Sequence, residues 1–176
     1  MNAPLIHVQH LHVHLPSPAV GPVDLGKLDL SQASNACTRE TTPRFELSPN
    51  GSYVTDHKTG IQWARRPTDY ISYAKAEKYV AELTLGGLTG WAIPTFEQRE
   101  TITDRTRFNP AMPQPFEGEK YEWTSSPYVA LGNDEKGQPR ALWQLDGSYG
   151  LVLYGGRDDG LGGVVRPCRV VPRPGQ

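Results

Sequence analysis

Apolar and polar residues alternate strictly near the start of the chain. In "QHLHVHLP" the apolar residues Leu11, Val13 and Leu15 are separated by histidines. A period of two residues is typical of a half-buried strand, so the pattern predicts a strand over residues 9–15. The prolines of "LPSPAVGP" exclude a helix directly after it. Residues 1–36 are too few to bury a core of their own, and we predict that they form an extended N-terminal arm.

A lone strand exposes unpaired backbone groups and apolar side chains, so the arm is expected to dock on another surface. Docking on its own domain would make the arm a stability element. Docking on another chain would make it an assembly element, and the reach provided by the prolines favours this alternative. The candidate partner-binding residues of the arm are His10, Leu11, His12, Val13, His14 and Leu15.

Residues 37–176 are predicted to form one α+β domain. "PNGSYVTDHKTGIQWAR" predicts two short strands, Tyr53–Thr55 and Ile61–Ala64, joined by a turn. In "SYAKAEKYVAEL" apolar residues recur at helical spacing, which predicts a first helix over Ser72–Leu83 that ends at "LGG". "RALWQLDGSYGLVLYG" predicts a hairpin with the pair Asp146-Gly147 in a two-residue type I′ turn.

The stretch "GGLTGWAIPTFEQRETI" joins a predicted strand to a second helix. Trp91–Ile93 is predicted to be a short buried strand, which stops at Pro94 because proline has no donor to continue a ladder. Thr95 is expected to cap a helix over Thr95–Asp104, with Gln98 at the third helical position completing a capping box. A scaffold corner, rather than an active site, is the favoured interpretation of this stretch.

Composition narrows the possible partners. The 18 basic and 19 acidic residues nearly cancel, so no basic surface indicates a nucleic-acid partner. No apolar run approaches the roughly 20 residues that span a bilayer. The first lysine is Lys27, and the basic start of a secretory signal is missing. We therefore expect no membrane segment and no signal peptide, and the cytoplasm or a phage particle as the location.

Taken together, these elements resemble the Lcl C-terminal domain family, a bacterial and phage branch of the C-type lectin fold that is distantly related to the formylglycine-generating sulfatase modifiers. The resemblance covers about Arg44 to Val171 and rests on "GSYVTDHKTGIQWAR", "LGGLTGWAIPT", "YEWTSSPY" and "VVRPCRV". It implies a C-type-lectin-like domain with two helices on a small, mainly antiparallel, twisted sheet.

The chain departs from the family pattern at a few positions. Ala92 replaces the arginine of the usual "WRLPT", and Arg99 and Thr103 stand where the second helix is usually apolar. Pro167 interrupts the last strand, which implies a bulge or an edge there. The first helix also has Val80 where many C-type lectin folds carry a cysteine.

The two cysteines leave two states open. Cys168 could pair with Cys37, and this disulfide would link the arm to the domain. On the chain-entropy model so large a loop contributes about 4–5 kcal/mol if it is unstrained. Two reduced, buried thiols are the alternative.

The sequence offers little catalytic or metal-binding chemistry. His57 is the one histidine of the globular part, and no serine or cysteine motif accompanies it. The sulfatase modifiers depend on two core cysteines, whereas the core here has Cys168 alone. Gln138-Pro139-Arg140 places a cation where calcium lectins need an acidic ligand, and the arm histidines are interpreted as a polar strand face rather than a zinc site. We therefore expect no enzyme activity, no metal and no cofactor.

Binding through a surface is the remaining function. Tryptophan, tyrosine and arginine are the residues that dominate interfaces, and in the resembled fold the hairpin and loops near the C-terminus present the ligand face. Trp143 alternates with Gln144, so one of the two must face the core. The candidate ligand-binding residues are Arg140, Trp143, Gln144, Tyr149, Tyr154, Arg157, Asp158 and Asp159.

These observations predict a non-catalytic recognition module, encoded by a phage or prophage, that binds a protein or a glycan. The alternative is a structural component of a phage-like particle, whose arm adds a strand to a neighbouring chain and so builds a homo-oligomer or a larger assembly. An inhibitor of a host process is a third interpretation.

The arm generates the first prediction. Deletion of residues 1–36 should lower the oligomer mass or the binding of a partner, measured by light scattering and by pull-down from the native host, because the arm is expected to dock on another chain. The truncated domain should still melt cooperatively. A truncated protein that unfolds or aggregates as a monomer would show instead that the arm belongs to the core.

Overall fold

The computed structural model describes residues 43–118, 120–157 and 162–171. The predicted arm, and with it the boundary at residue 36, lies outside these residues. In chain order the elements are β1 (Phe45–Leu47), β2 (Tyr53–Asp56), β3 (Ile61–Ala64), α1 (Tyr73–Glu82), α2 (Phe96–Glu100), β4 (Tyr121–Pro127), a 3₁₀ turn (Val129–Leu131), β5 (Ala141–Asp146), β6 (Val152–Gly156) and β7 (Cys168–Val170).

The described strands form two small antiparallel sheets, and the predicted α+β class is confirmed. The first sheet has the order β1-β2-β3-β7, so the last strand returns to pair with β3 through Trp63 and Cys168. The second sheet has the order β4-β5-β6. Pro167 lies directly before β7, the outermost strand of its sheet, which agrees with the edge expected there. No helix among the described residues is long and apolar enough to cross a membrane.

Both predicted helices are present, but the second is shorter than predicted. α1 buries Tyr73, Ala76 and Val80 on the face that the apolar spacing indicates. The capping box at the start of α2 is confirmed, because the Gln98 N–H donates to Thr95 Oγ1 at 3.1 Å and the Thr95 N–H donates to Gln98 Oε1 at 2.8 Å.

The prediction that α2 continues to Asp104 was wrong. Thr101 bonds the carbonyl of Gln98 through both its N–H, at 3.1 Å, and its hydroxyl, at 2.7 Å. This i→i+3 pattern tightens the last turn and satisfies a carbonyl that a longer α-helix would use. The N–H of Asp104 instead bonds the carbonyl of Ala111 in the following loop.

The predicted strand Trp91–Ile93 is reduced to a single bridge. Trp91 and Ile93 are buried as expected. Ala92 alone pairs with the sheet, because its N–H and carbonyl both bond Cys168, at 2.8 and 2.9 Å. Pro94 cannot extend this pairing, since it has no N–H.

The hairpin between β5 and β6 is confirmed, but the predicted turn type is wrong. Asp146 is the last residue of β5, and the loop runs over residues 147–150. Gly150, not Gly147, has the positive φ of 69°. Asp146 Oδ1 accepts a hydrogen bond from the Ser148 N–H at 2.8 Å, so the side chain supports a longer loop than a two-residue turn.

Three charged side chains lie buried in the interior where the two sheets meet. Glu122 of β4, Arg99 of α2 and Arg166 are all 0% exposed. Arg99 Nε donates to Glu122 Oε2 at 2.5 Å, and Arg166 Nη2 donates to Glu122 Oε1 at 2.9 Å. Arg166 Nη1 donates to the carbonyls of Ala64 and Arg65, at 3.0 and 2.5 Å, and its Nη2 also donates to the carbonyl of Glu117 at 2.7 Å. We call Glu122, Arg99 and Arg166 the buried charge cluster.

Within this cluster the two cations control the titration of the carboxylate. Burial by itself raises the pKa of Glu122, but the nearby guanidinium groups of Arg166 and Arg99 outweigh it, so the pKa lies below its usual value. The pKa of Arg166 is lowered, chiefly by burial. The cluster therefore holds one anion between two cations in a region without water contact.

The buried charge cluster generates a stability prediction. Glu122→Gln should lower the free energy of unfolding by about 3–5 kcal/mol, because two buried guanidinium groups lose their only shared carboxylate. The matched control is Glu117→Gln, which removes the surface ion pairs with Arg65 and Arg66. It should lower the free energy of unfolding by about 0–1 kcal/mol. Equal losses in urea unfolding would show that the buried pairs contribute no more than the surface pairs.

The same cluster predicts a dependence on pH. Since the folded pKa of Glu122 is depressed, its contribution is present above the unfolded pKa of about 4.3 and is lost as the pH falls through the folded value. The difference in unfolding free energy between the wild type and Glu122→Gln should therefore shrink below about pH 4. A difference that stays constant down to pH 2 would contradict this assignment.

Candidate functional site

The two faces of the second sheet carry different chemistry. In the register of β5 and β6, Trp143 lies opposite Tyr154, and Gln144 lies opposite Leu153. Because side chains alternate along a strand, the two pairs stand on opposite faces. Gln144 is the buried member, 7% exposed, and Trp143 is half-buried. The register thus answers the question that the sequence left open.

Four aromatic rings form a continuous row on the Trp143 face. Phe96 lies 5.8 Å from Trp143, and Tyr128 meets Trp143 edge to face at 4.7 Å. Tyr128 and Tyr154 stack in parallel, with ring centroids 4.2 Å apart and an interplanar angle of 6°. The row leads from α2 across the sheet to its edge strand, where Tyr154 is 52% exposed.

Apolar surface is concentrated around the outer end of this row. Four of the twelve exposed large hydrophobic residues in the described parts of the chain belong to the 3₁₀ turn and β6, which carry this end of the row: Val129, Leu131, Val152 and Tyr154. Val129, directly after Tyr128, is 83% exposed, and Leu131 is exposed in the same 3₁₀ turn. We call Tyr128, Val129, Leu131, Val152 and Tyr154 the apolar patch.

A pocket of about 350 Å³ opens beside Gln144, and residues of β4, β5 and β6 line it. Tyr70, from the segment before α1, and Tyr121, the first residue of β4, both line it. Their side chains remain 50% and 44% exposed. The described lining residues are Tyr70, Tyr121, Gln144, Leu153, Tyr154, Gly155 and Gly162, and we call this cavity the tyrosine pocket.

Two glycines fix the position of the Gln144 amide in the tyrosine pocket. A Cβ at Gly155 would lie 2.8 Å from Gln144 Nε2 and 2.9 Å from Trp123 Cη2. A Cβ at Gly163 would lie 2.9 Å from the same Nε2 and 2.7 Å from Trp123 Nε1. Only glycine allows the backbone to approach this closely. The amide lines the pocket, and it is not one of the buried side-chain groups that lack a partner among the described residues, which are Trp63 Nε1 and Glu100 Oε2.

The other predicted ligand-binding residues lie apart from this pocket and are partly engaged within the domain. Arg157 Nη2 pairs with Glu77 of α1 at 3.0 Å, and its Nη1 donates to Gln138 at 2.7 Å. Arg140 Nε donates to the carbonyl of Asn133 at 2.9 Å. Tyr149 is exposed in the β5–β6 loop.

Several predicted residues fall outside the described parts of the chain. They are Asp158, Asp159, Cys37 and the arm residues His10 to Leu15. The binding and disulfide hypotheses for these positions stay predictions.

Sequence reasoning missed Tyr70, Tyr121 and Tyr128. In "YEWTSS", Tyr121 and Trp123 are two positions apart. This spacing in a strand could have predicted that both aromatic side chains lie on one face of β4. Tyr70 gives no local signal, since it stands in an irregular segment and reaches the pocket only through the fold.

The titratable groups outside the buried charge cluster offer little reactive chemistry. Burial raises the pKa of the Cys168 thiol to about 12, and its Sγ lies 3.7 Å from Gln98 Oε1. His57 pairs with Glu46 at 2.7 Å on the surface. Among the described residues, no group of three or more histidine, cysteine, aspartate or glutamate side chains could hold a metal ion.

Comparison with known proteins places the chain in a family. The Lcl C-terminal domain matches it over residues 52–169, which is more than half of the 176-residue chain. No curated protein and no solved structure shows significant similarity to it. The match runs from the start of β2 into β7 and includes both helices, and it confirms the resemblance drawn from the sequence.

The buried thiol generates a prediction that also separates the two cysteine states. In a Cys37→Ser variant, Cys168 should not react with Ellman's reagent until the domain unfolds, because it is buried and protonated at neutral pH. Val170→Cys in a variant without the native cysteines is the matched control, since Val170 is exposed two residues further along β7. It should react at once.

Two outcomes would carry information about this prediction. Fast labelling of Cys168 in the folded domain would contradict the burial that the structure shows. Unfolded wild-type protein that yields no free thiol without a reductant would demonstrate the Cys37–Cys168 disulfide.

Proposed function

This chain belongs to the Lcl C-terminal domain family, and we propose that it is a non-catalytic recognition module of the C-type-lectin type. It binds a protein or a glycan through the second sheet and its connections. The observation that carries the proposal is the apolar patch, which exposes large hydrophobic side chains beside an aromatic row.

The apolar patch has the composition of a binding surface. Exposed apolar residues that stand singly are ordinary, but a contiguous set marks an interaction site. Tyr128 and Tyr154 are held in a parallel stack, so they present a rigid surface and lose little conformational entropy on binding. A partner that covers Val129 and Tyr154 would remove apolar area from water, which stabilises the complex.

A catalytic role has less support than recognition. A nucleophile needs a nearby base, and the described cysteine and histidine lie in separate places, one buried in β7 and one on the surface beside Glu46. The buried carboxylate of Glu122 is occupied by two arginines and is not accessible to a substrate. These features favour a surface that binds without chemical turnover.

The alternative roles, a component of a phage-like particle and an inhibitor of a host process, rest on other grounds. The first would use the arm, whose residues lie outside the described structure. The second is a form of recognition and would use the same patch. The exposed hydrophobic residues of the second sheet therefore favour recognition as the primary role.

A binding experiment tests this proposal. The labelled full chain should bind components of a glycan array or of a surface-protein extract from the source cells, and Val129→Ser should weaken that binding by about tenfold, since about 1.5 kcal/mol of valine burial is lost. Val170→Ser is the matched control, because Val170 is also exposed but lies in the first sheet. A chelator should leave binding unchanged.

The proposal would fail in either of two cases. Equal weakening by Val129→Ser and Val170→Ser would show that the patch is not the binding surface. Conversion of the bound component into a product, detected by mass spectrometry, would show that the domain is an enzyme.

A further inference from the structure

β6 is the outermost strand of the second sheet, and among the described strands it pairs with β5 alone. We propose that its outer edge, at Val152 and Tyr154, receives residues 9–15 of a second copy of the chain as an additional strand. This inference goes beyond the proposed recognition role, because the partner is another copy of the same chain and the contact is made by the backbone of β6.

The ladder between β5 and β6 shows which backbone groups face outwards. The Asp146 N–H donates to the carbonyl of Leu151 at 2.8 Å, and the register continues without a shift through β6. Successive residues of an antiparallel strand bond the partner strand alternately, so the N–H and carbonyl of Val152 and Tyr154 face away from β5. No described residue bonds these outward groups. They form a row that an added strand can bond.

The other three outer strands of the two sheets are protected in ways that β6 is not. Proteins block sheet edges with short strands, charges, proline or covering segments, because an open edge pairs with other chains. β1 and β7 have three residues each and carry Glu46 and Arg169. Val164 covers β4, since its N–H and carbonyl bond Tyr121 and Trp123 at 2.9 and 2.8 Å. β6 has five residues, VLYGG, without charge or proline.

The side chains beside this edge suit a strand with apolar residues at alternate positions. Val152 and Tyr154 are two residues apart, so they stand on one face of β6, where they are 40% and 52% exposed. An added strand would place the side chains of one of its faces about 4.5–5.5 Å from them. Apolar side chains there would remove part of the apolar patch from water, which stabilises the pairing.

The chain itself contains a segment with this pattern, although it lies outside the described residues. Leu11, Val13 and Leu15 alternate with histidines, and residues 9–15 contain no acidic residue, lysine or arginine. A strand of this kind needs a sheet edge, and β6 is an edge that lacks a strand. Each copy of the chain supplies one segment and one edge, so a second copy provides both halves of the contact.

The length of the chain permits a contact between copies. Residues 16–42 separate the predicted strand from the first described residue, and these 27 residues span up to about 90 Å when extended. A domain of the size of residues 43–176 has a radius of gyration of only about 14 Å. The segment can therefore reach the β6 edge of a neighbouring copy.

Light scattering on the full chain tests the association. The wild type should form particles of at least two chains, whereas Val152→Lys and Val13→Glu should each give single chains, because each places a charge on the contact. Val170→Lys and Val20→Glu are the matched controls, since Val170 is 59% exposed on β7 and Val20 lies outside the predicted strand. Both should associate as the wild type does.

A mixture of the two disruptive variants identifies the surfaces that meet. Val152→Lys keeps an intact segment 9–15 and Val13→Glu keeps an intact β6 edge, so the equimolar mixture should contain two-chain particles. A wild type that is a single chain would overturn the inference. So would association that survives Val13→Glu, or a mixture that holds only single chains up to millimolar concentration.

Amide hydrogen exchange tests the backbone pairing without altering β6, so that a folding defect of Val152→Lys does not decide the result. The N–H groups of Val152 and Tyr154 should exchange about tenfold or more slowly in the wild type than in Val13→Glu, because the added strand bonds them. The N–H of Leu153 faces β5 and should be protected in both, which makes it the internal control. Equal exchange of Val152 and Tyr154 in the two proteins would contradict strand addition.

These outcomes are separate from those of the proposed function, which is tested through Val129 outside β6. If Val13→Glu associates as the wild type does while Val129→Ser loses a foreign partner, strand addition is wrong and the recognition role stands. If association depends on Val13 and Val152 while no foreign component binds, strand addition stands and the recognition role fails.

Discussion

The ion pairs of Glu122 are the interaction on which the arrangement of the domain depends. Its carboxylate joins α2, through Arg99, to the segment before β7, through Arg166. Arg166 then bonds three backbone carbonyls, of which two belong to Ala64 and Arg65 at the end of β3. One buried carboxylate thereby ties the first sheet to the second. Because buried charges are tolerated only when their partners are in place, the cluster admits few other arrangements of these segments.

The same constraint determines what the second sheet presents to solvent. Successive residues of a strand face opposite sides, so placing Glu122 inside places Tyr121 and Trp123 on the other face. A shift of β4 by one residue would move Glu122 to the opposite face, away from the two arginines, and would place an aromatic ring among them. The tyrosine pocket and the buried charge cluster therefore depend on the same register of β4. The position of the pocket residues on this strand is thus fixed together with that of the buried core.

Local features of this fold could be predicted from the sequence, and features that join distant segments could not. The capping box of Thr95 and Gln98 depends on residues three apart, and the structure has it as predicted. Arg99 could be recognised as unusual for an apolar helix face, but its partner Glu122 lies 23 residues further on. The local pattern around "YEW" does not indicate that Glu122 is buried. Which of Trp143 and Gln144 is buried could likewise be decided only from the register of β5 and β6.

The domain buries three charged side chains and exposes aromatic ones, which is the reverse of the usual arrangement. This arrangement is relevant to the function of the domain. The three interior charged side chains are fully buried and hydrogen-bonded within the domain, so they offer no accessible group to a partner. The exposed side chains of Val129 and Tyr154, by contrast, carry apolar surface that the isolated domain leaves in contact with water. Free energy for binding is available where a folded chain has not already satisfied its own groups. Val129 and Tyr154 belong to the second sheet and its connections, so a ligand that covers them there would remove this apolar surface from water.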